Sequence, residues 1–205
     1  MAVSCPIGFD TRRLRDEVSA MYSRVASDPR GEFHFHRGAN YAASFLSYDP
    51  GELAVLPENA TASFAGVGNP LRIDRLHEGE TVVDVGCGAG MDLLLAARRV
   101  GPRGRAIGVD MTAAMRERAR ASARALGFDG TVEIREGDAE SLPIADGVAD
   151  VVISNGVLNL TTDKERAFSE IARVLHPGGR LLLADIVVES ELSETVRRDI
   201  DLWTG

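Results

Sequence analysis

A doubly wound α/β fold, a parallel sheet with helices on both faces, is predicted by three features of this 205-residue chain. From Glu80 onward, short apolar runs alternate with amphipathic stretches, the strand and helix order that builds a parallel sheet. The first run, Thr81–Val85, breaks into a turn with glycine at every second position (Gly86, Gly88, Gly90) before a helix-prone segment. Acidic residues follow the next two runs, at Asp110 and Asp138. Such sheets place ligands beyond the carboxyl ends of their strands, so residues just past each strand are the functional candidates.

Residues 1–75 have a weaker pattern and are expected to form a helical or irregular cap on the substrate side; residues 76–205 form the core. Within the cap, Leu14, Val18, Met21, Tyr22 and Val25 recur at helical spacing over Thr11 to Ser27, and Asp28-Pro29-Arg30-Gly31 ends that helix. Pro50 to Leu56 predicts a short helix, and Gly66-Val67-Gly68-Asn69-Pro70 a loop. In the core the predicted strands are 81–85, 105–109, 131–135, 149–154 and 181–186, and the predicted helices 91–100, 112–126, 163–175 and 193–203. His176-Pro177-Gly178-Gly179-Arg180 reads as a helix stop leading into the fifth strand.

Bulk properties narrow the function classes. A net charge of −8 disfavours nonspecific contact with nucleic-acid phosphates or anionic membranes. No apolar run approaches the ~20 residues of a bilayer span. Cys5 and Cys87 are far apart and lack metal-type spacing, which fits a reducing, cytoplasmic setting and predicts no metal site. The N-terminus shows no basic stretch leading into an apolar core, so no signal peptide is expected.

The glycine turn carries the chemistry. Glycine lets backbone turn sharply and approach a ligand, and the helix that follows offers unpaired N–H groups. A dinucleotide-binding turn, G-x-G-x-x-G, needs its third glycine at position 91, which is Met91; this chain has Gly90 instead. A nicotinamide-dependent oxidoreductase is therefore disfavoured. Asp110, 20 residues beyond Gly90, can accept ribose hydroxyls or cap the helix after Met111-Thr112. Asp138 with neighbouring backbone N–H groups can read an adenine edge, although an acidic turn looks similar. His34 and His36 share a face if extended, and could serve as a base or as part of a metal site. Two histidines without a third ligand make a poor metal site, so packing of Phe33 and Phe35 over the core is favoured.

With these motifs in order, Asp84 to Ile186 resembles the Rossmann-like core of class I S-adenosylmethionine-dependent methyltransferases. The resemblance implies S-adenosyl-L-methionine as cofactor and a small-molecule methyl acceptor. It implies that Asp84, Gly86, Cys87, Gly88 and Gly90 hold the methionine part, and that Asp110 and Met111 contact ribose and adenine. Asp138 and Ala139 would meet the adenine edge, with Asn155 following the fourth strand. A narrower resemblance, to the arsenite methyltransferase family, covers Tyr41 to Pro57, Gly66-Val67-Gly68-Asn69-Pro70, Gly108 to Thr112 and Ser154 to Leu160. It makes Val67, Asn69, Asn155, Gly156 and Asn159 the substrate-side candidates. Methyltransferases of quinone biosynthesis, which act on carbon, share the core motifs but match Gly66–Pro70 less well.

The departures from that family are specific. Its cysteine in the Gly-Cys-Gly-Asn-Pro segment is Val67 here, and its cysteine after Ser-Asn is Gly156. Trivalent arsenic is soft and favours sulfur. Cys87 is expected to point at the cofactor, and Cys5 could help only if the N-terminus folds over the site. Arsenic chemistry would need thiols brought by a small molecule. Such cores also continue into a β-hairpin that covers the fifth strand; no such hairpin is expected here, and the edge it would cover is expected to offer a surface for self-association. A non-catalytic or truncated cofactor-binding protein is the alternative to an active enzyme.

Overall fold

A computed structural model describes residues 11–187 and residue 189. The predicted helix at 193–203 and Cys5 lie outside the described residues. Among the described residues four helices form the cap: α1 (Thr11–Ser27), α2 (Gly38–Leu46), α3 (Pro50–Ala54) and α4 (Glu58–Thr61). The core runs β1 (Thr81–Val85), α5 (Met91–Val100), β2 (Arg105–Asp110), α6 (Ala113–Ala125), β3 (Val132–Glu136), β4 (Ala149–Asn155), α7 (Lys164–Val174) and β5 (Leu175–Ala184). Short 3-10 turns occupy 70–72 and 158–160.

All five strands are parallel, in the order β3-β2-β1-β4-β5. β1 lies centrally, and Val82 to Val85 are buried, as a strand covered on both faces requires. One face packs Val82, Ile153 and Leu182 beneath Leu94 and Leu95 of α5, with Leu53, Leu56 and Leu71 of the cap joining the same cluster. The other packs Val83, Ile107 and Val152 against Ile171 and Val174 of α7. Strand order reverses at β1 and β4, so a crevice opens at their carboxyl ends.

Local chemistry sets the helix ends. Asp49 caps α3 by accepting from the Glu52 N–H, with Pro50 at its first position, and Asp163 caps α7 by accepting from the Arg166 N–H. Gly108 in β2 has no room for a side chain: a Cβ there would lie 2.6 Å from Leu93 Cδ2 and 2.7 Å from Cys87 Sγ.

Two expectations are corrected. The sequence pattern does not predict α2, because its inward face is built from small residues; Ala42 is buried, and Ala39, Ala43 and Leu46 pack beside the same core cluster. His176–Arg180 does not precede the fifth strand but lies within it. Pairing begins at Leu175 with Ala149 and resumes at Arg180 with Val151, and the extra residues form a bulge where Gly178 has φ +94°.

Candidate functional site

One cleft gathers the carboxyl ends of β1, β2, β3 and β4. The glycine turn forms its floor. The N–H groups of Gly86 and Cys87 both donate to Val109 O, at 2.8 and 3.1 Å, which ties the turn to β2. Gly86 has φ +72°, and a Cβ there would run into Val157. Gly88 has φ +52° and open space where a Cβ would sit, so its backbone borders the cleft.

Three buried carboxylates line this floor. Asp84, at the end of β1, is 3% exposed and its Oδ2 has no hydrogen-bond partner. Burial, then the nearby Asp92 and Asp110, push its pKa well up. Asp110 spends one oxygen on the Gly88 N–H and the other on the Thr112 N–H, both at 2.8 Å. The predicted choice between ribose and helix cap takes a third form: Thr112 is the α6 N-cap, and Asp110 braces the glycine turn while its carboxylate still lines the cleft. Burial raises its pKa and those amides oppose the rise.

Asp138 and Ala139 also line the cleft, after β3, with Met111 after β2. Asp138 accepts from the Glu140 N–H at 2.7 Å and pairs with Arg15 Nε at 3.1 Å. Arg15 Nη2 reaches Glu140 at 2.6 Å, and Glu140 in turn accepts from Thr162 and Asp163. Helix α1 thus closes over the cleft, presenting Arg15, Val18 and Tyr22. Burial, followed by Asp110 and Asp185, raises the Tyr22 hydroxyl to about 12. Beneath α1, Phe33 and Phe35 pack with Val25 and Met115 against Ala89 of the glycine turn.

At the other end Asn155 binds segment 66–68. Its Oδ1 accepts from the Val67 N–H at 2.8 Å and the Gly68 N–H at 3.2 Å. Its Nδ2 faces Gly68 O at 2.9 Å, Asp92 Oδ2 at 3.0 Å and Tyr48 Oη at 3.1 Å. That amide is fully engaged, so Asn155 shapes the wall and has no spare donor for a ligand. Asp92 also accepts from the Tyr48 hydroxyl at 2.6 Å.

The remaining candidates divide. A Cβ at Gly156 would lie 3.3 Å from Val67 Cγ1, so these two positions face each other. Asn69 donates to Ser47 O at 3.3 Å, and Asn159, with its amide oriented by its neighbours, donates to Asp185 Oδ1 at 2.9 Å. Gly156 lines the cleft, whereas Val67, Asn69 and Asn159 do not. His34 and His36 are exposed outside it; His36 stacks on Tyr41 and Phe45, and no group of three metal-ligating side chains occurs among the described residues. The expected direction of Cys87 is corrected: its thiol lies against Gly108 within the core cluster of Leu93, Ala97 and Ala106. Burial there raises its pKa well up, which suits an inert packing thiol.

Arg15, Tyr22, Tyr48, Asp92 and Glu140 also line or support the cleft and are not among the sequence-predicted site residues. The spacing of Arg15, Val18 and Tyr22 along one helical face was a visible signal. Tyr48 had none, because its partner is 44 residues away.

The sheet order, the glycine turn and the carboxylates beyond the strands define the Rossmann-like class of α/β proteins. The chain belongs to the methyltransferase domain family, whose model matches residues 76–204. It is 43% identical over 160 residues to an arsenite methyltransferase of Halobacterium salinarum, covering 78% of this chain and 40% of that protein. It is 40% identical over 111 residues to a ubiquinone/menaquinone biosynthesis C-methyltransferase of Klebsiella pneumoniae, covering 54% of this chain and 44% of that protein. The crystal structure of an arsenic(III) S-adenosylmethionine methyltransferase from Chlamydomonas reinhardtii superposes with a TM-score of 0.65 at 39% identity, covering 71% of this chain and 51% of that one. The chain thus spans less than half the length of both curated relatives.

Proposed function

We propose that this chain is an S-adenosylmethionine-dependent methyltransferase acting on a small acceptor by in-line displacement. One observation carries the reading: a buried Asp84 oxygen without a partner beside a glycine turn whose backbone at Gly88 borders open cleft. A buried unpaired carboxylate oxygen calls for a polar ligand, and a cationic amino-acid group suits it. The residues present therefore fit the cofactor. Asp84 and the Gly86–Gly90 turn, Cys87 backbone included, would hold its methionine part. Asp110 with Met111, and Asp138 with Ala139, would hold its nucleoside.

When bound, that group supplies an activated methyl on a positive sulfur. The protein's work is then alignment and exclusion of water, which can contribute several kcal/mol. α1 encloses the nucleoside end through Arg15, and Asn155 fixes segment 66–68 at the acceptor end. Phe64, Ala65 and Val157 make that end largely apolar, and among the described residues no histidine lines the cleft. A soft or already ionised acceptor needs no strong base.

Residues 1–75 are proposed as the substrate-side cap, with α1 reaching over the nucleoside end through Arg15, and 76–205 as the cofactor core. The facing pair Val67 and Gly156 offers no thiols, so arsenic would arrive with thiols of its own, as in an arsenite–glutathione adduct. A carbon acceptor is the second reading, favoured by the apolar wall. The net charge of −8 weighs against nucleic-acid partners. Among the described residues no helix is long and apolar enough to cross a membrane. Transfer of a labelled methyl group tests the reading with two acceptors, arsenite plus glutathione and a quinol. Label on either product supports an enzyme and chooses between them. Cofactor binding without transfer to these or to a broader acceptor screen favours a non-catalytic binding protein.

A further inference from the structure

Asp92 is a buried carboxylate that the cofactor assignment does not use. It stands in the first turn of α5, is 6% exposed and lines the cleft. Two donors hold it, the Tyr48 hydroxyl on one oxygen and Asn155 Nδ2 on the other. Both donors also engage Gly68 O, so the cluster lies at the acceptor end, opposite the Asp110 and Asp138 end. Among the described residues the only basic side chain lining the cleft is Arg15, and it is engaged at the far end by Asp138 and Glu140.

We propose that Tyr48 and Asn155 keep Asp92 anionic so that it selects for positive charge on the ligand's sulfur, favouring the methyl donor over its demethylated product. The inference rests on the S-adenosylmethionine reading. Donor and product differ by one methyl group and by the positive charge that sulfur loses when the S–CH3 electron pair returns to it. A fixed anion at the acceptor end, where that sulfur must lie, acts on this difference. Asp110 and Asp138, at the nucleoside end, meet a part common to both ligands. Asp92 is therefore a specificity-determining residue, and Tyr48 and Asn155 are positioning residues that act through it.

The groups facing Asp92 set the sign of its pH dependence. Asp84 of β1 lies close enough to be raised by it, with Asp110 beyond. Arg99, from the last turn of α5, favours the anion at a distance while paired with Glu52 of α3 at 2.9 Å. Burial raises the Asp92 pKa, and the Tyr48 and Asn155 hydrogen bonds oppose the rise. Selectivity for the donor should therefore fade as pH falls through the Asp92 pKa. Removing the Tyr48 hydroxyl should move that fading to higher pH.

Isothermal titration with S-adenosylmethionine and S-adenosylhomocysteine over a range of pH tests this without any acceptor. Asp92→Asn should shift the affinity ratio toward the product by about tenfold, the worth of one charge at short range in a partly buried site. Tyr48→Phe, which keeps the ring packed on Phe64 at 5.4 Å, should shift it less at high pH and more at low pH. A merely structural role would weaken both ligands equally. An unchanged ratio in both folded variants, with both ligands still binding, overturns the inference. Failure of the parent protein to bind either ligand overturns the cofactor reading instead.

Discussion

The wall of the cleft made by the sheet and the wall made by residues 11–70 are held in place differently. On the sheet side, main-chain register does the positioning: the Gly86 and Cys87 amides sit on Val109 O, and Asp110 is itself part of β2. On the cap side, isolated side chains span long gaps in sequence. Tyr48 reaches Asp92, Asn155 reaches Val67, and Arg15 reaches Glu140 across 125 residues. A backbone-built wall changes little when one exposed side chain is lost, whereas a side-chain-built wall depends on single atoms. On the proposed reading, the bulk of cofactor affinity belongs to the sheet wall, and donor-over-product choice, acceptor choice and closure to the cap wall.

The largest effect should come from filling the backbone wall. Gly86→Val adds a side chain at φ +72° into the space of Val157. Strain and overpacking together should weaken S-adenosylhomocysteine binding about a hundredfold, measured by titration. Asp110→Ala should follow, with a loss of more than about tenfold, because the Gly88 and Thr112 amides lose their acceptor. Unchanged binding there would show that the cofactor needs neither this brace nor the Asp110 carboxylate.

A pH effect comes next. Asp84, Asp92 and Asp110 have raised pKa values in the folded state, so the fold holds more protons than the unfolded chain above the ordinary value of 3.8. Their contribution to stability is full below that value and is lost as pH rises through the folded pKa values. The melting temperature of the ligand-free protein should therefore fall as pH rises above the ordinary carboxylate range and through the raised values, and Asp84→Asn should flatten that slope. A slope of opposite sign would contradict the buried-anion picture. The smallest effect on stability belongs to Arg15→Ala, within about 1 kcal/mol for a half-exposed pair. Its mark should be faster release of S-adenosylhomocysteine in stopped flow, because α1 then closes less firmly.

What the sequence disclosed follows the same division. The strands, the glycine turn and the acidic residues past β2 and β3 are legible because local pattern and strand ends dictate them. α2 escaped notice because alanines make its buried face, and alanine is weak in any hydrophobic pattern. The direction of Cys87 depended on a space left by Gly108, 21 positions on in a neighbouring strand. Asn155 looked like a ligand contact by position, yet the Val67 and Gly68 amides and the Asp92 carboxylate occupy it. No local signal reports contacts across such distances, so the acceptor end is the part a linear reading renders least well.

The glycine turn and its carboxylates are suited to S-adenosylmethionine and not to a dinucleotide. Titration of the parent protein with S-adenosylhomocysteine and with NAD tests it most directly. The expected result is one-to-one binding of S-adenosylhomocysteine at roughly micromolar levels, with no measurable heat from NAD. Tight binding of NAD with no response to S-adenosylhomocysteine would contradict it.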